Sequence, residues 1–196
     1  MRSSALRDYL PMPTVVACLG DSITEGSPYW DSRRGAGNPE GRWEHWAGLL
    51  HPELEFRNFG IWGERTDEIA ARFDRAVEGA DVLIVQGGIN DIAQGRAIEA
   101  AAADLQAMVE RGLGLGLRVA ACDVLPWNGG WPAKEQPIRG LNKLIHRLPV
   151  PVLPFHDTLE DPAAPGRMKP EWCDEDGDHP SVAGYRRLGE LAFRLP

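Results

Sequence analysis

Apolar residues recur along this chain in two alternating patterns. Short strand-like runs, mostly apolar, close on glycine, asparagine or proline: Thr14-Val15-Val16-Ala17-Cys18-Leu19, Leu54-Glu55-Phe56-Arg57, Val82-Leu83-Ile84-Val85-Gln86-Gly87, residues 118–124, and 150–155. Between them, apolar positions fall at helical spacing. Runs of this kind read as strands buried on both faces, and the stripes as amphipathic helices. One helix is expected over 39–50, carrying Trp43, Trp46, Leu49 and Leu50 inward. Another runs over 66–77 behind a Thr66 cap, with Ile69, Phe73 and Val77 aligned. A third carries Ile98, Leu105, Met108 and Val109 and ends at Gly112; a fourth opens at Pro137 with Ile138, Leu141, Ile145 and Leu148; a last one runs from Pro180 to Phe193. Repeated strand–helix units imply right-handed crossovers and a parallel sheet of about five strands covered on both faces. The fold class is therefore α/β, a three-layer sandwich in a single domain spanning 1–196, with any site at the carboxyl ends of the strands.

The strand ends carry chemistry. Gly20-Asp21-Ser22-Ile23-Thr24 closes the first strand, Asn58-Phe59-Gly60 the second, and Gly88-Ile89-Asn90-Asp91 the third, while Asp176-Gly177-Asp178-His179-Pro180 lies near the other end of the chain. A serine after a strand is ordinarily a turn or helix-cap residue. Here, though, a hydroxyl, a glycine amide, a carboxamide and an imidazole all fall on one sheet edge. A serine nucleophile needs a base and an orienting carboxylate, which proximity in sequence does not have to supply. Pro180 holds His179 out of the helical conformation at a helix entrance. Asp176, followed by a flexible glycine, can curl beneath the ring, whereas alternation sends Asp178 to the other side. Asp21 and Asp91 read as structural, bonding loop amides beneath the site.

With these motifs in this order, the chain resembles the SGNH hydrolases of the GDSL esterase/lipase family, whose signature is Ser, Gly, Asn and His, with an Asp three residues before the His. The resemblance runs from Gly20 to Tyr185 and departs at Ile23, where the family often has Leu. It implies a flavodoxin-like sheet and a serine esterase working through an acyl-enzyme. Ser22, Asp176 and His179 would be catalytic, and the Ser22 amide, Gly60 and Asn90 would form the oxyanion hole. The implied substrates are small-molecule esters with short acyl groups, including acetyl esters of carbohydrates. Lysophospholipase, thioesterase and acetyl transferase activities occur on the same fold, and a non-catalytic carbohydrate-binding module is the rival from another class.

Other readings fail on spacing or charge. No Gly-x-Ser-x-Gly elbow surrounds Ser22, and the glycines at 112, 114 and 116 precede a strand instead of following one. No HExxH or Cys/His pair suggests a metal, and no cofactor is expected. With 21 Lys and Arg against 29 Asp and Glu, the net charge of -8 disfavours nucleic acid and anionic membrane surfaces as partners. Three cysteines (18, 122 and 173) leave one unpaired in any disulfide scheme. Residues 1–9 hold no apolar run of signal-peptide length, so a reduced, cytoplasmic setting is expected. Trp30, Trp62, Trp127 and Trp131, near loop tips, are candidates for a substrate-contacting rim.

Overall fold

The computed structural model describes residues 12–196; the expectation about a leader concerns residues 1–9 and lies outside them. Five parallel strands form the central sheet: β1 (Thr14–Gly20), β2 (Leu54–Gly60), β3 (Val82–Val85), β4 (Arg118–Cys122) and β5 (Val152–Leu153), in the order β2-β1-β3-β4-β5. The chain leaves β1 for one neighbour and returns on its other side, so the order reverses there. This opens a crevice at the carboxyl ends of β1 and β3. Register places Gly20 of β1 opposite Gly60 of β2, and Leu19 opposite Val85 of β3.

Alternation along the strands divides the core in two. Val16, Cys18, Val82, Ile84, Ala120 and Cys122 face one layer. There they meet Trp43 and Ala47 of α2 (Trp43–Leu50), Phe155 and Leu159 of α8 (Phe155–Leu159), and Tyr185 of α9 (Val182–Arg187). Ala17, Leu19, Leu83, Val85, Val119 and Ala121 face the other. That layer holds α3 (Thr66–Ala71), α4 (Phe73–Val77), α6 (Ile98–Gly114) and α7 (Glu135–Ile145). Burial on both faces explains why β1, β3 and β4 read as nearly continuous apolar runs, whereas β2, at the sheet edge and half-exposed, carries Glu55 and Arg57. Cys18 and Cys122 are buried free thiols whose pKa burial pushes up, and Cys173 is also free. No helix among the described residues is long and apolar enough to cross a membrane.

Several local expectations are corrected. Helix α2 starts at Trp43 and turns Trp43 and Ala47 inward, leaving Leu49 and Leu50 exposed at its far end. The expected 66–77 helix breaks at Arg72, whose guanidinium turns back to donate to the carbonyls of Phe59 and Gly20. Thr66 is not its cap: the Glu68 carboxylate accepts from the Arg65 amide, while the Thr66 hydroxyl serves Asp91. Helix α6 continues through Gly112, which is small there because Leu83 and Val119 press against it. Helix α7 opens at Glu135, before Pro137; β4 stops at Cys122 and β5 spans only Val152–Leu153, because Phe155 already starts α8. The last helix begins after the Ser181 cap and passes into a π-helical turn, Leu188–Ala192.

Candidate active site

Ser22 opens α1 (Ser22–Glu25) directly after β1. Asp21 caps that turn, its Oδ1 accepting from the Ile23 amide at 2.9 Å. Burial pushes the Asp21 carboxyl up to about 6, although the Ile23 amide opposes the shift. Directly after β3, the Gln86 side-chain oxygen accepts from the Asp21 amide (3.2 Å) and the Thr24 hydroxyl (2.9 Å), fixing the turn against the sheet. The Ser22 N–H, first in its helix, has no intrahelical acceptor and sits in the positive field of the helix start.

The structure brings three of the residues singled out in the sequence into one hydrogen-bonded chain. Ser22 Oγ lies 3.0 Å from His179 Nε2, and His179 Nδ1 lies 2.6 Å from Asp176 Oδ2. Asp176 Oδ1 accepts from the amides of Asp178 (2.8 Å) and His179 (3.0 Å), so the carboxylate is gripped by the turn it closes. Gly177, at φ 75°, allows that turn. Partial burial pushes the Asp176 carboxyl up, but the bonds from the His179 ring and the two amides outweigh it and hold the group below its ordinary value. Asp178 does not reach the imidazole. Its Oδ1 accepts instead from Trp127 Nε1 at 2.6 Å, 51 residues away.

These groups open on a cavity of about 280 Å³ walled by Ser22, His179, Asn90 and the apolar side chains of Ile23, Ile89 and Ala93, with Trp62 and Trp127 beside them. Asn90, in α5 (Ile89–Ala93), donates one amide hydrogen to the Glu64 carbonyl at 2.9 Å, which leaves its second hydrogen for the cavity. Gly60 is placed differently from the expectation. It does not line the cavity, and its N–H is already given to Asn58 Oδ1 at 2.9 Å. A Cβ there would stand 2.0 Å from the Glu25 amide nitrogen, so Gly60 is a glycine because β2 passes tightly beneath α1. The glycine at the cavity is Gly63, with φ 80° and open space around its Cβ position. Its N–H has no acceptor among the described residues. A second glycine three positions on, just ahead of a helix, was the signal available in the sequence.

The loop carrying Gly63 is held from below. Buried Asp91 accepts from the Thr66 amide and hydroxyl, both at 3.0 Å, and pairs with Arg96 at 2.6 Å. Of the four tryptophans, Trp62 and Trp127 line the cavity, Trp30 lines a neighbouring one, and Trp131 lines neither. A separate cavity of about 270 Å³ lies at Asp123, His146 and His156. Beside it, ligand atoms of His156, Asp157 and Glu160 fall within 4.8 Å of one another and could hold a cation, although Arg139 already occupies Glu160 at 2.8 Å.

Residues 18–187 match the GDSL-like Lipase/Acylhydrolase family. No curated protein matches the chain significantly. Among solved structures, the chain is similar to a member of the lipolytic protein G-D-S-L family from Veillonella parvula (20% identity, 90% of this chain and 94% of that one, TM-score 0.72). It is also similar to the lipase/acylhydrolase from Enterococcus faecalis (23%, 92% and 93%, 0.71) and to a variant acetyl xylan esterase from Geobacillus stearothermophilus (17%, 91% and 93%, 0.70). At these identities the neighbours establish the fold, and the match across 18–187 establishes the lineage: the chain belongs to the GDSL-like lipase/acylhydrolase family.

Proposed function

We propose that this protein is a serine esterase for short-chain carboxylic esters. The observation that carries the reading is the unbroken relay from Ser22 Oγ through His179 to Asp176 at the mouth of a small, partly apolar cavity. Ser22 Oγ attacks the ester carbonyl carbon as its proton passes to His179 Nε2. Asp176 holds the ring with Nδ1–H toward itself and stabilises the imidazolium that forms. The negative charge arising on the carbonyl oxygen meets the amides of Ser22 and Gly63 and the Asn90 carboxamide, donors already in place before the charge develops. Breaking the ester C–O bond sends the electron pair to the alcohol oxygen, which takes the proton from His179 and leaves. Water then attacks the acyl-serine with His179 again as base, releasing the acid and restoring Ser22.

Gly63 takes the role that the sequence motif suggested for Gly60, because only the former offers an unengaged N–H at the cavity. Ser22→Ala tests the reading. The variant should keep the parent melting temperature and fall to background hydrolysis of p-nitrophenyl acetate, and a fluorophosphonate should label Ser22 in the parent. Labelling at another residue, or hydrolysis by the variant near the parent rate, would sink the proposal.

A further inference from the structure

One ion pair outside the cavity reaches the neighbourhood of each oxyanion donor. Between α3 and α4, the Arg72 guanidinium donates through Nη1 to the Phe59 carbonyl at 2.8 Å and through Nη2 to the Gly20 carbonyl at 3.1 Å. Its Nε and Nη2 both donate to Glu64 Oε2, at 2.9 Å and 2.6 Å. The two side chains are 21% and 19% exposed, so water screens the pair only in part. Neither residue lines the cavity.

Each partner of this pair adjoins a donor. Gly20 ends β1 two residues before Ser22, and its carbonyl also accepts from the Ile61 amide at 3.1 Å, which joins β1 to the loop after β2. Phe59 lies at the end of β2, and the amide that follows it, Gly60, is held by Asn58 Oδ1 at 2.9 Å. Glu64 directly follows Gly63. While Arg72 fixes the Glu64 side chain, the Glu64 carbonyl accepts from Asn90 Nδ2 at 2.9 Å, the bond that leaves the second Asn90 hydrogen for the cavity.

Packing does not fix Gly63, because nothing lies within 4 Å of where its Cβ would stand. Polar ties on either side of it decide where its N–H points: the Gln94 Nε2 donor on the Gly63 carbonyl at 3.3 Å, and the Arg72–Glu64 pair. A guanidinium suits this post because its donors leave one rigid plane in several directions, which an ammonium on a flexible stem cannot copy. Oxyanion donors stabilise developing charge only if they are held in place beforehand, and small misplacements are costly.

Resting on the esterase reading, we infer that Arg72 and Glu64 are positioning residues of the oxyanion hole: the pair locks the end of β1, the Gly63 loop and the Asn90 carboxamide into one frame, so that the donors converge before the carbonyl oxygen gains charge. Those donors act on the transition state, so their displacement falls on kcat. Arg72→Ala should lower kcat for p-nitrophenyl acetate by about 30- to 100-fold, and Arg72→Lys, which keeps a charge for Glu64 but loses the fork, by about threefold to tenfold, each with KM within about threefold. Affinity for a trifluoromethyl ketone, whose adduct with Ser22 puts an alkoxide in the same hole, should weaken in parallel with kcat/KM. A pair that only stabilised the fold would lower the melting temperature and leave kcat of the folded variants within about twofold. That result, a loss carried by KM, or a kcat loss without weaker ketone binding overturns the inference. Should Arg72→Ala fail to fold, Arg72→Lys carries the test alone. If the parent shows no Ser22-dependent hydrolysis, the esterase reading itself has failed, and NMR judges the pair: displaced Gly63 backbone and Asn90 side-chain amide resonances in Arg72→Lys support the frame, and unmoved ones overturn it.

Discussion

Replacing Asp176 by Asn changes one atom and reverses the logic of the relay. Two backbone amides donate to Asp176 Oδ1, from Asp178 at 2.8 Å and His179 at 3.0 Å. An Asn at 176 must keep its oxygen toward them, because the reverse orientation would set an NH₂ group against two N–H donors. The new NH₂ then faces His179 Nδ1, which lies 2.6 Å from the Asp176 oxygen it displaces. Nδ1 must become the acceptor, moving the ring proton to Nε2, where it points at Ser22 Oγ 3.0 Å away. The imidazole can no longer take the serine proton. The expected loss is about 10³ to 10⁴ in kcat, or about 4 to 5.5 kcal/mol of transition-state stabilisation. Steady-state hydrolysis of p-nitrophenyl acetate at pH 8 measures it, with a thermal melt to show that the variant is folded. Asp178→Asn is the control. An Asn oxygen there can still accept from Trp127 Nε1, so kcat should stay within about threefold. Severe damage from Asp178→Asn together with a mild effect of Asp176→Asn would refute the reasoning.

Four further outcomes follow. Asn90→Ala should remain folded and lose about 10² to 10³ in kcat with little change in KM, whereas Gly60→Ala, forcing a Cβ to 2.0 Å from the Glu25 amide, should lose about 3 kcal/mol or more of stability in urea unfolding. Glu44 is buried, which pushes its carboxyl up to about 8 against opposing bonds and charges, so the folded chain keeps a proton that the unfolded chain releases near its ordinary 4.5. Stability from this group is full below about 4.5 and is lost as pH rises toward about 8; Glu44→Gln should flatten the decline in melting temperature between pH 5 and 9. With the acyl group seated in the 280 Å³ cavity, as proposed, acetyl and butyryl p-nitrophenyl esters should outpace octanoyl in kcat/KM, and a preference for decanoyl would contradict that seating.

The alternation of apolar runs and helical stripes was enough to specify the layers and the parallel sheet, because periodicity is a local property and burial on both faces leaves its mark on each of the inner strands separately. Ser22, Asn90, Asp176 and His179 were legible for a related reason: each follows a strand or precedes a helix, and the fold class alone carries such positions to one edge. Element ends were less legible. Arg72 breaks a helix because its guanidinium finds carbonyls on two strands, and Leu49 and Leu50 are exposed because α2 ends beyond the sheet's cover. The choice between Gly60 and Gly63 belonged to tertiary structure alone. Whether an amide is available depends on what it already donates to, and the Asn58 side chain settles that for Gly60. Trp127 and Asp178 likewise meet only once 51 residues of intervening chain have folded, since a hydrogen bond between distant segments leaves no period in the sequence that precedes it.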